Sequence, residues 1–215
     1  MSFNGIFPQQ FVASAIEIES IDFNTRRSKS KGGVMQIGGT PGHQLMFKIT
    51  TPPLDRNQQR EIMAFIDRVG SQTPFTVSLP VFSTPRGSTA GSPSLRTQAE
   101  AGSRVIELKG LSANASGVLK GFDLITFANH TKGYFIDNVY SGDSISSGGY
   151  NSNSSGQTTI RLTKPLLRTI PTNTSVEIDN PTLTVIAQKE EWSAQISAAN
   201  SNFVSLDLPV EEYIT

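Results

Sequence analysis

The side chains that most often carry acid–base catalysis are scarce in this chain. Histidine occurs only twice, as His43 in a predicted strand and His130 in a predicted turn, although it is the commonest general acid–base group. Neither histidine lies in a catalytic or zinc-binding motif, and the chain contains no Cys. Disulfides, thiolate nucleophiles and Cys-based metal sites are therefore excluded, and we expect neither a cofactor nor a metal.

Adjacent carboxylates are the other candidates for chemistry. Glu190 precedes Glu191, and Glu211 precedes Glu212. Neighbouring residues of a strand point to opposite faces, so neither pair can flank a glycosidic bond without a bend. We interpret both pairs as solvated surface. The Gly-rich residues 87–91 lack the Lys and the helix of a phosphate loop, and we predict that the protein is not an enzyme.

Aromatic and polar residues alternate between positions 122 and 140, and exposed rings there could stack on sugars. Phe122 and Phe127 are better explained as core residues. A glycan site would need an exposed ring beside Asn or Asp side chains. The candidate contacts of such a site are Tyr134, Asp137, Asn138, Tyr140 and Tyr150.

Length and charge narrow the class of protein. The 215 residues suffice for one or two domains. The 18 Lys and Arg residues balance the 18 Asp and Glu residues, so no basic field favours nucleic acid. Residues 1–10 lack the positive charge of a secretory signal, and the longest apolar run, residues 62–66, is far too short to span a membrane. We expect a protein made in a cytoplasm, with no nucleic-acid partner and no membrane span.

The first fifty residues predict a β-meander. Strands are expected at residues 15–23, 34–37 and 43–50, because apolar and polar side chains alternate there. A basic stretch joins the first two strands, and its cations are Arg26, Arg27, Lys29 and Lys31. Two interpretations stay open for this stretch: a solvated hairpin loop, or a surface that meets an acidic partner.

A single helix is predicted at about residues 55–70. Asp55 can cap its start, Gln58 three residues later completes a capping box, and Gly70 can end it. The apolar residues that follow share one helical face; they are Ile62, Phe65, Ile66 and Val69.

The rest of the chain predicts further strands. Residues 74–79 resume strand character, and residues 83–93 are rich in turn-forming residues and indicate a junction. Short, regularly spaced strands then follow, at residues 104–109, 122–128, 132–140, 158–163 and 175–178. Residues 141–156 are mainly Gly, Ser and Asn and predict a flexible hairpin tip. Longer strands return at residues 182–189 and 203–208.

These elements predict a mainly β fold with a minor helical part. We expect a first domain of residues 1–84 plus 181–215, a β-barrel or split barrel that includes the helix. We expect residues 85–180 to be an inserted β module, a small sandwich or barrel.

The order of elements between residues 45 and 87 resembles the distal tail proteins of tailed bacteriophages, including the lambda minor tail protein M class. A strand ending in Thr51-Pro52-Pro53 leads to a helix centred on Ala64-Phe65-Ile66. Gly70, a Phe-containing strand closed by Pro80, and the step Pro85-Arg86-Gly87 follow.

The inserted module extends the resemblance. A longer form of the family carries a Leu-x-x-Gly-Asp element and a late Pro-x-Leu-Arg element. Here residues 164–168 supply Lys-Pro-Leu-Leu-Arg for the second. Residues 119–123 supply Leu-Lys-Gly-Phe-Asp for the first, with Phe122 intruding between Gly and Asp.

The resemblance implies a virion protein of the phage tail tip or baseplate, assembled in the host cytoplasm. Such proteins form a homo-oligomeric ring, usually a hexamer, that joins the tail tube to the hub and the tape-measure protein. Fibre or receptor-binding proteins are further expected partners. The expected interface elements are the basic stretch 26–31, the helix with Arg56 and Arg60, the tip 141–156, and residues 1–14 as an arm.

Two other functions stay open beside the ring protein. The insert could be a carbohydrate-binding module for a host surface glycan, or the chain could be a receptor-binding or fibre adaptor of the virion. A hydrolase would need carboxylates brought together from distant strands, and the sequence contains no sign of such a pair.

Overall fold

A computed structural model describes residues 5–8, 15–22, 26–29, 35–38, 43–70, 72–88, 90–188 and 205–214. The described residues form fifteen strands, one α-helix and one short 3-10 helix. The predicted mainly β class with a minor helical part is confirmed. No helix in this described part is long and apolar enough to cross a membrane.

A five-stranded antiparallel sheet uses strands from both ends of the chain. Its order is β1-β4-β15-β14-β5, and every neighbouring pair is antiparallel. The sheet is open among the described strands, so the expected barrel closure is not seen there. The bounds of its strands are Ala15–Asp22 (β1), His43–Thr50 (β4), Phe75–Ser78 (β5), Thr182–Ala187 (β14) and Asp207–Glu212 (β15).

The basic stretch begins with a strand, which the first of its two interpretations, a solvated hairpin loop, did not include. Arg26–Lys29 (β2) pairs with Met35–Gly38 (β3), and Arg26 lies opposite Gly38. In the neighbouring ladder Asp22 of β1 lies opposite His43 of β4. Among the described residues, β2 and β3 form a two-stranded sheet of their own.

The predicted helix is confirmed as Arg56–Val69 (α1). The Asp55 carboxylate accepts hydrogen bonds from the backbone N–H groups of Asn57 and Gln58, and the Gln58 side chain accepts one from the backbone N–H of Asp55. Gly70 ends the helix at φ 56°, a left-handed conformation that favours glycine. Ile62, Ile66 and Val69 are buried against the five-stranded sheet, as the stripe predicts.

The segment between β5 and β14 forms three small sheets. One has the order β12-β7-β6, one β13-β8-β9, and the third is the hairpin β10-β11. The two three-stranded sheets share one buried apolar core and touch at both edges through the isolated bridges Ser94–Ser175 and Ile136–Leu162. The bounds are Gly91–Leu95 (β6), Val105–Leu111 (β7), Leu124–Phe127 (β8), Gly133–Phe135 (β9), Tyr140–Ser141 (β10), Ser144–Ile145 (β11), Thr158–Arg161 (β12) and Val176–Glu177 (β13).

The predicted junction at residues 83–93 was partly wrong, because β6 begins inside it. Pro93 masked this strand, since proline is rare in strands except at edges and bulges. The register between β6 and β7 shifts between Gly91 and Ser94, which is the irregularity that accommodates the proline.

The predicted flexible tip 141–156 was also wrong in its second half. Residues 142–148 form the end of a short hairpin and are mostly exposed. Tyr150 and Ser152 instead exchange backbone hydrogen bonds with the segment 115–119. The Asn151 side chain accepts a hydrogen bond from the backbone N–H of Gly117. Backbone and side-chain hydrogen bonds therefore anchor a segment whose composition is typical of a loop.

Two apolar cores support the molecule, and they interlock. The first is formed by the five-stranded sheet and the helix, and the second by buried residues between Leu95 and Ile178. Leu124 of β8 and Phe135 of β9 nevertheless belong to the first core. The chain leaves the five-stranded sheet between β5 and β6 and returns to it between β13 and β14. The domain boundaries at residues 85 and 181 remain predictions.

The N-terminal arm predicted to reach a neighbouring copy packs partly on its own chain. Ile6 bridges Thr76 of β5 in parallel fashion, and Phe7 is fully buried in the first core. Residues 9–14 of this arm lie outside the described residues.

Candidate functional site

The predicted interface cations lie on two separate elements. Arg26, Arg27 and Lys29 lie in β2, while Lys31 lies outside the described residues. Arg56 and Arg60 are exposed on the first two turns of α1, whose first turn contains no acidic residue.

A cation at a helix N-terminus is unfavourable, because that end of the helix carries partial positive charge. Arg56 and Arg60 form no ion pair with any described residue. Both side chains are exposed to solvent.

Tyr134 is not a surface residue, and its assignment as a glycan contact was wrong. Only 1% of its surface is exposed, and its hydroxyl accepts a hydrogen bond from the Leu167 backbone N–H at 3.1 Å. The alternation of aromatic and polar residues predicted that this strand has one exposed face. Strand β9 instead lies between the two cores, with Tyr134 in the second and Phe135 in the first.

Three of the other candidate glycan residues do come together. Asp137 forms an ion pair with Arg161 at 3.4 Å, and it also accepts a hydrogen bond from the Asn138 backbone N–H. The half-buried Tyr150 donates its hydroxyl to the Asp137 carbonyl at 3.1 Å, and burial raises its pKa. Their polar atoms are thus largely used within the chain.

Tyr140 remains as the exposed aromatic residue of the set. It is 59% exposed on strand β10, opposite Ile145, which is 60% exposed. Both side chains of this pair are thus more than half exposed on a short hairpin.

A buried polar cluster that the sequence did not predict lies between the two cores, and we call it the buried polar junction. Lys132 Nζ donates to Glu212 Oε2 at 2.7 Å, and both side chains are fully buried. The Gly133 backbone N–H donates to Glu212 Oε1 at 2.6 Å, and that of Leu45 donates to Oε2 at 3.2 Å. One carboxylate thereby joins β15, β4 and the 132–133 segment. The junction consists of Lys132, Glu212, His43, His130 and Tyr134.

The aromatic rings of the buried polar junction surround the ion pair. Tyr134 contacts the imidazole of His43 edge-on and that of His130 nearly face to face, at centroid distances of 6.1 and 5.7 Å. Lys132 Nζ lies 5.5 Å from the centroid of the Tyr134 ring, within reach of a cation–π interaction.

Burial dominates the protonation equilibria of the junction, because it disfavours every charged form. It lowers the pKa of His130 to about 4, helped by the positive charge of Arg168. It raises the pKa of Tyr134 to about 12. The pKa of Lys132 is lowered and that of Glu212 raised, each opposed by the charge of the other partner.

A sequence signal for this junction existed. Leu208, Val210 and Glu212 alternate along β15, and all three are buried. The alternation places Glu212 on the inner face, so our interpretation of the residue as solvated surface was wrong. Glu190 and Glu191, which received the same interpretation, lie outside the described residues.

A second unexpected feature is an apolar cavity where β5 leads into the insert, which we call the aromatic pocket. Its volume is about 230 Å³. Phe122, expected in the core, is 51% exposed and stacks on Phe135 at 4.4 Å with an interplanar angle of 4°. The lining residues are Val81, Phe82, Thr84, Pro85, Arg86, Phe122, Asp123 and Leu124.

A third feature is a polar groove of about 340 Å³ on the insert. It is lined by the pair Arg96–Glu107 and by uncharged polar side chains. These are Asn151, Ser152, Asn153, Gln157, Thr158 and Thr159. Within the described part of the chain, no group of three or more His, Cys, Asp or Glu residues could hold a metal ion.

Comparison with known proteins does not assign these features. No family model matches the chain, and no curated protein is significantly similar to it.

Proposed function

We propose that this chain is a structural virion protein of a bacteriophage tail tip, acting as one copy of a ring between the tail tube and the hub. The observation that carries the proposal is the unit β4–α1–β5. Most of the motifs between residues 45 and 80 that resemble distal tail proteins fall on or directly beside these three consecutive elements, and both strands belong to the five-stranded sheet. The quoted resemblance thus follows one continuous structural unit.

The edge of the sheet supports an assembly role. Strand β1 is an outer strand, and its free edge is paired by no described residue. An eight-residue unpaired edge is a template for pairing with another chain. In a closed ring each copy covers such an edge of its neighbour.

The mass of the purified protein in solution tests this proposal. We expect a species of about six times the 23.2 kDa chain mass across a concentration series, and a ring with a central channel in negative-stain images. A trimer would contradict the ring and favour a fibre role. A monomer at every concentration would contradict a ring closed by the chain's own contacts.

Glycan binding by the insert is a second candidate, favoured by the polar groove. Amide, hydroxyl and guanidinium groups converge there without net charge, which suits a neutral polyhydroxylated ligand. Asn153 and Gln157 are among the residues that line the groove. We expect the wild type to bind neutral glycans on an array and Gln157→Ala to lose that binding. The matched control is Gln98→Ala, an exposed glutamine of the insert outside the groove.

A further inference from the structure

The aromatic pocket carries an unusual backbone at its centre. Phe122 has φ 68°, a left-handed conformation that is strained for an aromatic residue. Its backbone N–H donates to the Ile136 carbonyl at 2.8 Å, which fixes the residue to the neighbouring strand. Val81 beside it is 69% exposed. A strained backbone thus holds a large apolar surface in solvent, and such surfaces mark interaction sites.

The short hairpin formed by β10 and β11, which we call the tip hairpin, also exposes apolar side chains. Tyr140 and Ile145 lie opposite each other in the ladder, so they point to the same side of the ribbon. Both side chains are more than half exposed, as is Phe122 of the aromatic pocket. Within one copy, therefore, the tip hairpin does not cover the pocket.

The two surfaces also carry opposite charges. Arg86 is exposed at the pocket, and its guanidinium donates to the Gly121 carbonyl at 2.9 Å. The nearby Asp123 carboxylate is buried and accepts backbone N–H groups of Arg86 and Lys120. Asp143 is exposed in the turn of the tip hairpin. Neither Arg86 nor Asp143 forms an ion pair with a described residue.

From this complementarity we infer that the tip hairpin of one copy docks into the aromatic pocket of a second copy. Tyr140 and Ile145 cover Phe122 and Val81, and Asp143 pairs with Arg86. The contact is head-to-tail, so each copy uses its hairpin toward one neighbour and its pocket toward the other. This is the type of contact that generates rings, and the inference rests on the proposed ring function.

Charge reversal tests the pairing of the two surfaces. We expect Arg86→Glu and Asp143→Arg each to raise the concentration for half-assembly about tenfold or more, because like charges then face each other. The double variant should return to within about threefold of the wild type, since the pair is restored in the opposite sense. Arg104→Asp, at an exposed position of the insert away from the pocket, is the matched control.

A chemical cross-link gives a second measurement that does not depend on these charges. The chain contains no Cys, so Thr84→Cys combined with Asp143→Cys places the only two thiols at the proposed contact. A short bis-maleimide should link this double variant into a ladder of multimers. Each single-Cys variant should give no product larger than a dimer.

The outcomes separate this inference from the proposed function. A wild-type ring that persists in both charge variants, or a double variant that is not rescued, overturns the docking and leaves the ring in place. A wild type that stays monomeric overturns both. Disruption by each single reversal, rescue by the pair and a cross-linked ladder together establish the docking.

Discussion

The ion pair of Lys132 and Glu212 affects the free energy of folding in two opposing ways. Removing both charges from water costs several kcal/mol, and the ion pair with its backbone hydrogen bonds compensates that cost. The compensation fails if one partner is removed, because the remaining charge or carboxyl stays buried. The junction therefore fixes the position of β15 relative to the 132–133 segment.

We predict that Lys132→Met lowers the free energy of unfolding by about 3–5 kcal/mol. Adding Glu212→Gln should restore part of this loss, since the amide oxygen still accepts a backbone N–H. Urea unfolding monitored by circular dichroism measures both variants. The control is Lys48→Met, whose pair with Asp207 is half exposed and screened by solvent, so its loss should lower the free energy of unfolding much less. Equal losses for the two lysines would contradict the role of the junction.

His130 makes the stability depend on pH. Its folded pKa of about 4 lies below the usual 6.5, so between these values the unfolded chain binds the proton more readily. The free energy of unfolding therefore has its full value above pH 6.5 and decreases as the pH falls toward 4. Over this pH window we expect the wild type to lose about 2 kcal/mol of unfolding free energy relative to His130→Asn. The Asn side chain keeps an acceptor for the Lys132 backbone N–H. Parallel pH profiles of the two proteins would refute this assignment.

At the scale of elements, α1 is the most predictable part of the chain. Its cap, apolar stripe and terminal glycine all act within a few residues, so distant contacts are not needed to recognise it. Strands were less predictable at their ends. Strand β15 lies at Asp207–Glu212 instead of the predicted 203–208, and β6 was not predicted.

The N-terminal cap of α1 should contribute measurably to the stability of the protein. Asp55→Ala removes the acceptor of two backbone N–H groups at 2.8 and 2.9 Å, and we expect a loss of about 1 kcal/mol in unfolding free energy. Asp67→Ala is the control, because an exposed acidic residue near the helix C-terminus is not favoured by the helix dipole. Thermal unfolding of both variants distinguishes them. A cap variant as stable as the wild type would contradict the expectation.

At the scale of the whole molecule, the interlocked cores couple the two groups of sheets. Leu124 and Phe135 of the insert pack in the core of the five-stranded sheet, and the buried polar junction links both. We therefore predict one cooperative unfolding transition, with equal calorimetric and van't Hoff enthalpies. Phe135→Ala should lower the midpoint of this transition without splitting it. Two separated transitions would show that the insert is an independent unit.

The amino-acid sequence by itself determined the mainly β class, the helix with its caps and the regions of most strands, because these follow from local periodicity and turn chemistry. The tertiary structure decided which faces are buried. Tyr134 is buried because β9 lies between two cores. Phe122 is half exposed on a left-handed backbone. Glu212 is inside, where Lys132, 80 positions away, neutralises it. Periodicity indicates that a strand has two faces, but only the packing of distant segments determines what covers each of them.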